Sequence, residues 1–264
     1  MNASRRFRFG VINERMTTAG AWIDAARRTE AQGYATFLIR DHFVPDHFGD
    51  QFAPFSALTA AACATTTLRV GCLVIDNDYR HPVVLAKEAA TLDLLSGGRF
   101  ELGLGAGFMK TEYDKAGIAF DAPGIRVSRL AEAIDVLKGL FGAAPLTFQG
   151  QHYRIDGLNG YPKPAQHPHP PIHIGAGSKR MLMLAGRHAN TVGLLGRHAH
   201  AEARVCPRRR GRAVLRARAQ HHDGRRGDGE SAAGSRGAHP RTRLERGDTG
   251  AGARHAEHVP RHRR

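Results

Sequence analysis

The chain has 264 residues, with 39 Lys and Arg against 24 Asp and Glu, a formal net charge of +15. It has no run of about 18 apolar residues, which excludes a membrane-spanning helix, and its basic start lacks the apolar segment of a secretory leader. Three widely spaced cysteines, Cys63, Cys72 and Cys206, with no CxxC pair, argue against a disulfide framework or a zinc site and fit a reducing cytoplasm.

Residues 7–12 read as a strand, and residues 19–32 as a helix with Trp22, Ile23, Ala26 and Thr29 on one face and Gly33 as its stop. Residues 36–40 read as a buried strand running into Asp41 and His42, followed by a helix over 55–66. A third strand is predicted at 68–75 and a helix at 82–95, ended by Gly97 and Gly98. A fourth strand at 100–104 leads into Gly105-Ala106-Gly107. Residues 127–141 have the helical spacing Leu130, Ile134, Leu137, Phe141, and 148–155 suit a small hairpin around Gly150. A strand at 171–174, a helix at 179–188 and a strand at 191–195 complete the pattern.

Residues 197–264 are different. They hold 18 Arg and no Lys against 7 acidic residues, which is +11 of the formal +15, and they contain no Phe, Tyr, Trp, Ile or Met. Such a stretch cannot bury enough apolar surface to offset the entropy of ordering it, so a disordered, basic tail is expected. Its composition is that of GC-rich codons translated out of frame. The alternative is an arm that binds nucleic acid through phosphates, but such an arm would mix Lys with Arg and interleave aromatic residues, and nucleic acid is not expected as a partner. The predicted organisation is one domain over 1–196 and the tail over 197–264.

Strands alternating with helices imply a parallel sheet covered by helices, either an open doubly wound sheet or a barrel; six β/α steps suit a TIM barrel cut short. In both, ligands meet the carboxyl ends of the strands. Four features fall there. Asp41-His42 follows strand two, and a histidine there can move a proton near neutral pH or serve as a turn residue. His47 lies five residues further on, in weaker context. Gly103-Leu104-Gly105-Ala106-Gly107 lets a backbone approach a flat or anionic ligand closely, and Glu112 and Tyr113 behind it are polar contacts or surface. Gly175-Ala176-Gly177-Ser178-Lys179-Arg180 places a glycine turn at a helix start with two cations, an anion site or a plain Ser178 cap. Arg80 and His81 leave strand three, where Arg80 faces the site or pairs with Asp76 or Asp78.

In their order, the segments FRFGV, GYATFLIRDHF, LRVG, YRHPVVLAKEAATLDLLSGGRFELGLGAGF, RVSRLAEAIDVLKGLF, FQGQHYRIDG and PKPAQHPHPPIHIGAGSKRMLMLAGRHANTVGL resemble the luciferase-like monooxygenase superfamily, in particular its deazaflavin (coenzyme F420)-dependent oxidoreductase branch. The resemblance covers about residues 6–196. It implies an incomplete TIM (β/α)8 barrel with an insertion around 145–170, and a cofactor, F420 or alternatively FMN, across the strand ends. Carried over residue by residue, Asp41 and His42 meet the ring, Cys72-Leu73 is the nearest match to a cis peptide that buttresses it, Ala106 and Gly107 form a cofactor-contacting turn, and Gly175, Ala176 and Gly177 form the phosphate loop. His42 is the implied catalytic residue, as proton donor or substrate polariser, with Phe43, Phe48, Phe52 and Phe108 lining the pocket of a small-molecule substrate. A homodimer is the implied assembly. The sequence departs from the sugar-phosphate dehydrogenases of this branch at Phe108, where they carry a catalytic Glu. Strands seven and eight have no recognisable counterpart in 197–264, and a barrel lacking them is expected to be impaired.

Overall fold

The computed structural model describes residues 7–15, 18–45, 48–194 and 212–213. Contacts divide the chain into Met1–Ala219 and Gln220–Arg264. The second unit lies outside the described residues, as does the expected basic tail except for 212–213.

The strands are β1 (Gly10–Ile12), β2 (Thr36–Ile39), β3 (Arg69–Cys72), β4 (Ile75–Asp76), β5 (Phe100–Gly105), β6 (Leu146–Gln149), β7 (Arg154–Leu158), β8 (Ile172–Gly175), β9 (Thr191–Gly193) and β10 (Arg212–Ala213). The helices are α1 (Ala19–Ala31), α2 (Pro54–Cys63), α3 (Pro82–Leu95), α4 (Lys110–Ala116), α5 (Pro123–Phe141) and α6 (Lys179–His188). One sheet runs β1-β2-β3-β5-β8-β9-β10, every pairing parallel, with β4 also on β5. Spatial order equals chain order, with helices in the described crossovers from β1 to β9. This is the run of β/α units expected of an incomplete TIM-type barrel, and it rules out the doubly wound alternative, which needs a reversal of strand order. No counterpart of a seventh strand was expected, yet Arg212–Ala213 adds a two-residue parallel pairing to β9.

The two faces of the sheet differ in chemistry. Phe37, Ile39, Val70, Cys72, Phe100, Leu102, Leu104, Ile172 and Ile174 are buried in one core with helix residues such as Trp22, Leu58, Leu85, Leu130, Ile134 and Leu137. The alternate positions carry mostly glycine and polar or charged residues, with Leu38 an exception, as the two-residue strand period allows. Leu38 meets Gly71, and Arg69 donates to Glu101 at 2.6 Å and to Gln166 at 3.1 Å. The insertion is the expected hairpin, β6 antiparallel to β7.

Two local expectations need correction. The run 68–75 is not one strand: a cis peptide between Leu73 and Val74 separates β3 from β4. That bond lies one residue beyond the expected Cys72–Leu73. The bend brings Val74 against Gly105 and Gly175, and brings the Cys72 carbonyl so close to β5 that a Cβ on Gly103 would lie 1.8 Å from its oxygen. Helix α4 was not expected, because its sequence KTEYDKA has no apolar stripe; Glu112 and Tyr113 are its buried residues.

Three glutamates on helices hold loops by consecutive backbone amides. Glu30 Oε1 accepts from the amides of Thr66, Thr67 and Leu68 at 2.6–2.9 Å. Glu132 accepts from Gln151, His152 and Tyr153, fixing the hairpin tip. Glu112 Oε1 accepts from Phe43 at 2.8 Å and Val44 at 3.1 Å. Hydrogen bonds of amides to a carboxylate are charge-assisted and stronger than neutral ones.

Candidate active site at the carboxyl ends of the strands

The chain leaves β2 into Asp41 and His42, and the two side chains have different surroundings. Asp41 is buried and pairs with Arg80, whose Nη1 donates to Oδ2 at 2.6 Å; the amide of Asp76 donates to the same oxygen at 3.2 Å. Burial raises its pKa, against the pull of the Arg80 guanidinium. Arg80, expected to face the site or to pair with Asp76 or Asp78, instead joins Asp41 and Glu88. Asp41 therefore locks the β2 end to the β4 end.

His42 lies with its ring stacked on Phe48, centroids 4.6 Å apart and planes at 20°, and edge-on to Phe108 at 5.9 Å. Its Nδ1 is 2.8 Å from Glu112 Oε2, which also accepts from the Tyr79 hydroxyl at 3.1 Å. Glu112 is 1% exposed. Burial alone would raise its pKa, but the His42 hydrogen bond and the amides of Val44 and Phe43 outweigh it and hold the carboxyl below its usual range. An ionised carboxylate only accepts, so Nδ1 of His42 carries the hydrogen. The neutral tautomer this selects has its lone pair on Nε2, which suits it to take a proton. Glu112, read from the sequence only as a polar contact or surface, is thus the partner of His42. Nothing local reveals this, since the two are 70 positions apart.

Behind the glycine turn lies a second carboxylate. Gly107 has φ +67°, and a Cβ there would lie 1.9 Å from the Tyr113 hydroxyl and 2.6 Å from Asp76 Oδ2. The Tyr113 hydroxyl reaches both Asp76 oxygens, at 2.8 and 2.9 Å, and the Asp78 amide donates at 3.0 Å. Burial nevertheless pushes Asp76 up to about 7, and the charges of Asp78 and Asp41 add to the rise. A carboxyl that binds its proton more tightly when folded stabilises the fold at low pH and loses that contribution as pH rises toward the folded pKa. Glu30, Glu112 and Glu132, all lowered, act in the opposite sense at more acidic pH. Urea unfolding should therefore show stability falling between about pH 5 and 8 by on the order of 1 kcal/mol or more, and Asp76→Asn should flatten that slope. A variant with the same slope as the parent would show that another group titrates.

The other expected site residues divide. Gly175 meets Val74, as Gly105 does, so two of the glycine turns converge on one residue at the centre of the strand ends. The Ala176 amide donates to the Gly193 carbonyl at 2.9 Å, Gly177 is exposed, and Ser178 caps α6 by accepting from the Met181 amide at 3.3 Å. Ala106 is half-buried against the core. Leu73 is half-buried at the cis bond, whereas Cys72 packs in the core among the helices. Phe52 turns edge-on to Trp22 at 6.4 Å, and Phe43 lies against Tyr79 at 4.3 Å. His47 lies outside the described residues. A neighbouring cleft of about 310 Å³ is walled by Arg80, His81, Asp121, Arg129 and Tyr153; His42 and the glycine turns do not line it.

Comparison with known proteins agrees with this architecture. The family model described as luciferase-like monooxygenase matches residues 6–227, beyond the expected limit at 196. An F420-dependent glucose-6-phosphate dehydrogenase of Kineococcus radiotolerans is 33% identical over 171 residues, covering 64% of this chain and 50% of its own length. The chain thus spans about half the length of the curated relatives it matches. The coenzyme F420-dependent tetrahydromethanopterin reductase of Methanopyrus kandleri superposes with a TM-score of 0.62 at 24% identity, covering 71% of this chain and 55% of that one. A long-chain alkane monooxygenase superposes with a TM-score of 0.65 at 15% identity, covering 72% and 56%. At these identities the superpositions establish the fold, while the family match extends over most of the sequence: the chain belongs to the luciferase-like monooxygenase family.

Proposed function

We propose that this chain is an oxidoreductase that transfers hydride between coenzyme F420 and a small organic substrate, with His42 moving the accompanying proton. The observation that carries the reading is the His42–Glu112 pair, set among aromatic rings at the strand ends. The strand ends fit a flat ring system, because Gly105 and Gly175 leave Val74 as the side chain between them. Ala106 and Gly107 would border the ring. Gly177, the start of α6 and the cations Lys179 and Arg180 would meet an anionic tail. When bound, the deazaflavin supplies a hydride acceptor and donor.

The chain's own part is acid–base chemistry. In alcohol oxidation, the carbinol carbon loses a hydride and the hydroxyl loses a proton, leaving a ketone. Nε2 of His42 accepts that proton while Glu112 stabilises the resulting imidazolium, and reduction of the ketone reverses both. Phe48, stacked on His42, covers one face of its ring.

FMN is the second reading, since the family description itself is of monooxygenases. Binding separates the two: the full chain titrated by calorimetry should bind F420 in the micromolar range and FMN at least about ten-fold more weakly. Tighter binding of FMN, together with oxygen consumption by the reduced protein, would favour the flavin reading, and binding of neither would overturn the proposal. A cytoplasmic location, in keeping with free Cys63 and Cys72, and assembly as a homodimer belong to the same proposal.

A further inference from the structure

We infer that the substrate is an uncharged, largely apolar ketone or alcohol and not a phosphorylated sugar, with Phe108 as the specificity-determining residue. This rests on the reading of His42 as the group that faces the substrate.

The first observation is apolar surface left in the open beside His42. Phe108 is 66% exposed and Phe43 is 54% exposed. Phe108 stands edge-on to the His42 ring, and Phe43 is the next residue in the chain. Phe43 lies against Tyr79, whose hydroxyl shares Glu112 with His42, so both exposed rings border the His42–Glu112 pair, the kind of surface that a ligand of matching chemistry covers. With Phe48 on the face of His42, the imidazole is bordered by apolar rings.

The second observation concerns charge. A phosphate ester needs an uncommitted cation or a set of free amides. Arg40 donates to Glu14 at 2.7 Å and lies over the Phe48 ring at 4.2 Å. Arg80 is held by Asp41 and Glu88. Lys110, two residues beyond Phe108, is paired with Asp114. The amides of Phe43 and Val44 are taken by Glu112. Among the described residues, a dianion placed beside His42 would compete with these pairs and would lie next to the ionised Glu112. Lys179 and Arg180 start α6, which the proposed function assigns to the cofactor's tail.

The test is equilibrium binding to the full chain without cofactor, by calorimetry or ligand-observed NMR. The probes are 2-butanone, 2-hexanone, 2-octanone and glucose 6-phosphate. Affinity is expected to rise about two- to four-fold per methylene along the ketones, with glucose 6-phosphate neither binding nor competing. Phe108→Ala, a change at an exposed position, should weaken 2-octanone about ten-fold, and Phe108→Tyr should restore binding to within about two-fold. A flat ketone series, or glucose 6-phosphate binding more tightly than 2-octanone, would overturn the substrate class. An unchanged Phe108→Ala protein would overturn the role of Phe108. Because no cofactor is present, ketone binding that follows the expected pattern supports the inference even if F420 and FMN both fail to bind, an outcome that would sink the proposed function alone.

Discussion

A Gly103→Ala protein is expected to lose at least about 3 kcal/mol of stability and to accumulate poorly in folded form. The added methyl would sit 1.8 Å from the Cys72 carbonyl oxygen, which is backbone and cannot swing aside as a side chain can. Moving it means separating β3 and β4 from β5 at the centre of the sheet. Total stabilities are only about 5–15 kcal/mol, so the loss is a large share. Gly186→Ala is the matched control. Gly186 lies inside α6 with no atom within 4 Å of an added Cβ, and the change should be neutral or stabilising by about 0.5–1 kcal/mol. Urea unfolding of the two variants decides the matter: equal midpoints would mean that the sheet opens at Gly103 more easily than its geometry implies.

Replacing His42 by Ala is expected to slow hydride transfer by about 10²- to 10⁴-fold, the usual range for a general acid–base group, with cofactor affinity changed far less. Glu112→Gln should have a smaller effect on rate and a distinct spectroscopic one. A neutral amide no longer favours the Nδ1–H tautomer, so the ¹⁵N shifts of His42 should move toward a mixture, and the pH–rate profile should move with them. A purely structural glutamate would lower stability without changing either readout. Full activity in His42→Ala would remove the histidine from the chemistry while leaving the fold and family untouched.

The strands were legible because apolar residues recur at their helix-facing positions, as at Phe37 and Ile39 or Leu102 and Leu104, and the segments are closed by glycine or by Asp41-His42. His42 could be singled out for the same reason, since the end of a strand marks where a site can be. The break at Leu73–Val74 was not legible, because LRVGCLVI carries no turn residue at the bend and the closeness it creates is recorded in glycines far along the chain, Gly103, Gly105 and Gly175. Helix α4 was hidden by its polarity, and with it Glu112, whose partners come from the loop after β2 and from Tyr79 after β4. Arg80 offered two acidic neighbours in sequence and chose a third, Asp41, supplied by the adjacent strand. Ser178 as the cap of α6 was one of two readings of its turn, and it needs only local chemistry.

The glutamate clasps separate what a loop is from how it is held. Every residue but proline presents the same amide, so Glu30 and Glu132 grip their loops mainly through groups that any sequence supplies, with the Thr67 hydroxyl as an added donor to Glu30. The exposed side chains at 66 and 151 can therefore drift while the path of the chain stays fixed, provided that the glutamate remains and no proline enters, whereas Leu68 is held in the core and Tyr153 by Asn77. At Glu112 the same grip leaves Oε2 over for His42. There a part that elsewhere only fastens the chain also sets the orientation of a histidine, and because Phe43 and Val44 are held by their amides, their side chains can be exchanged without loosening that grip.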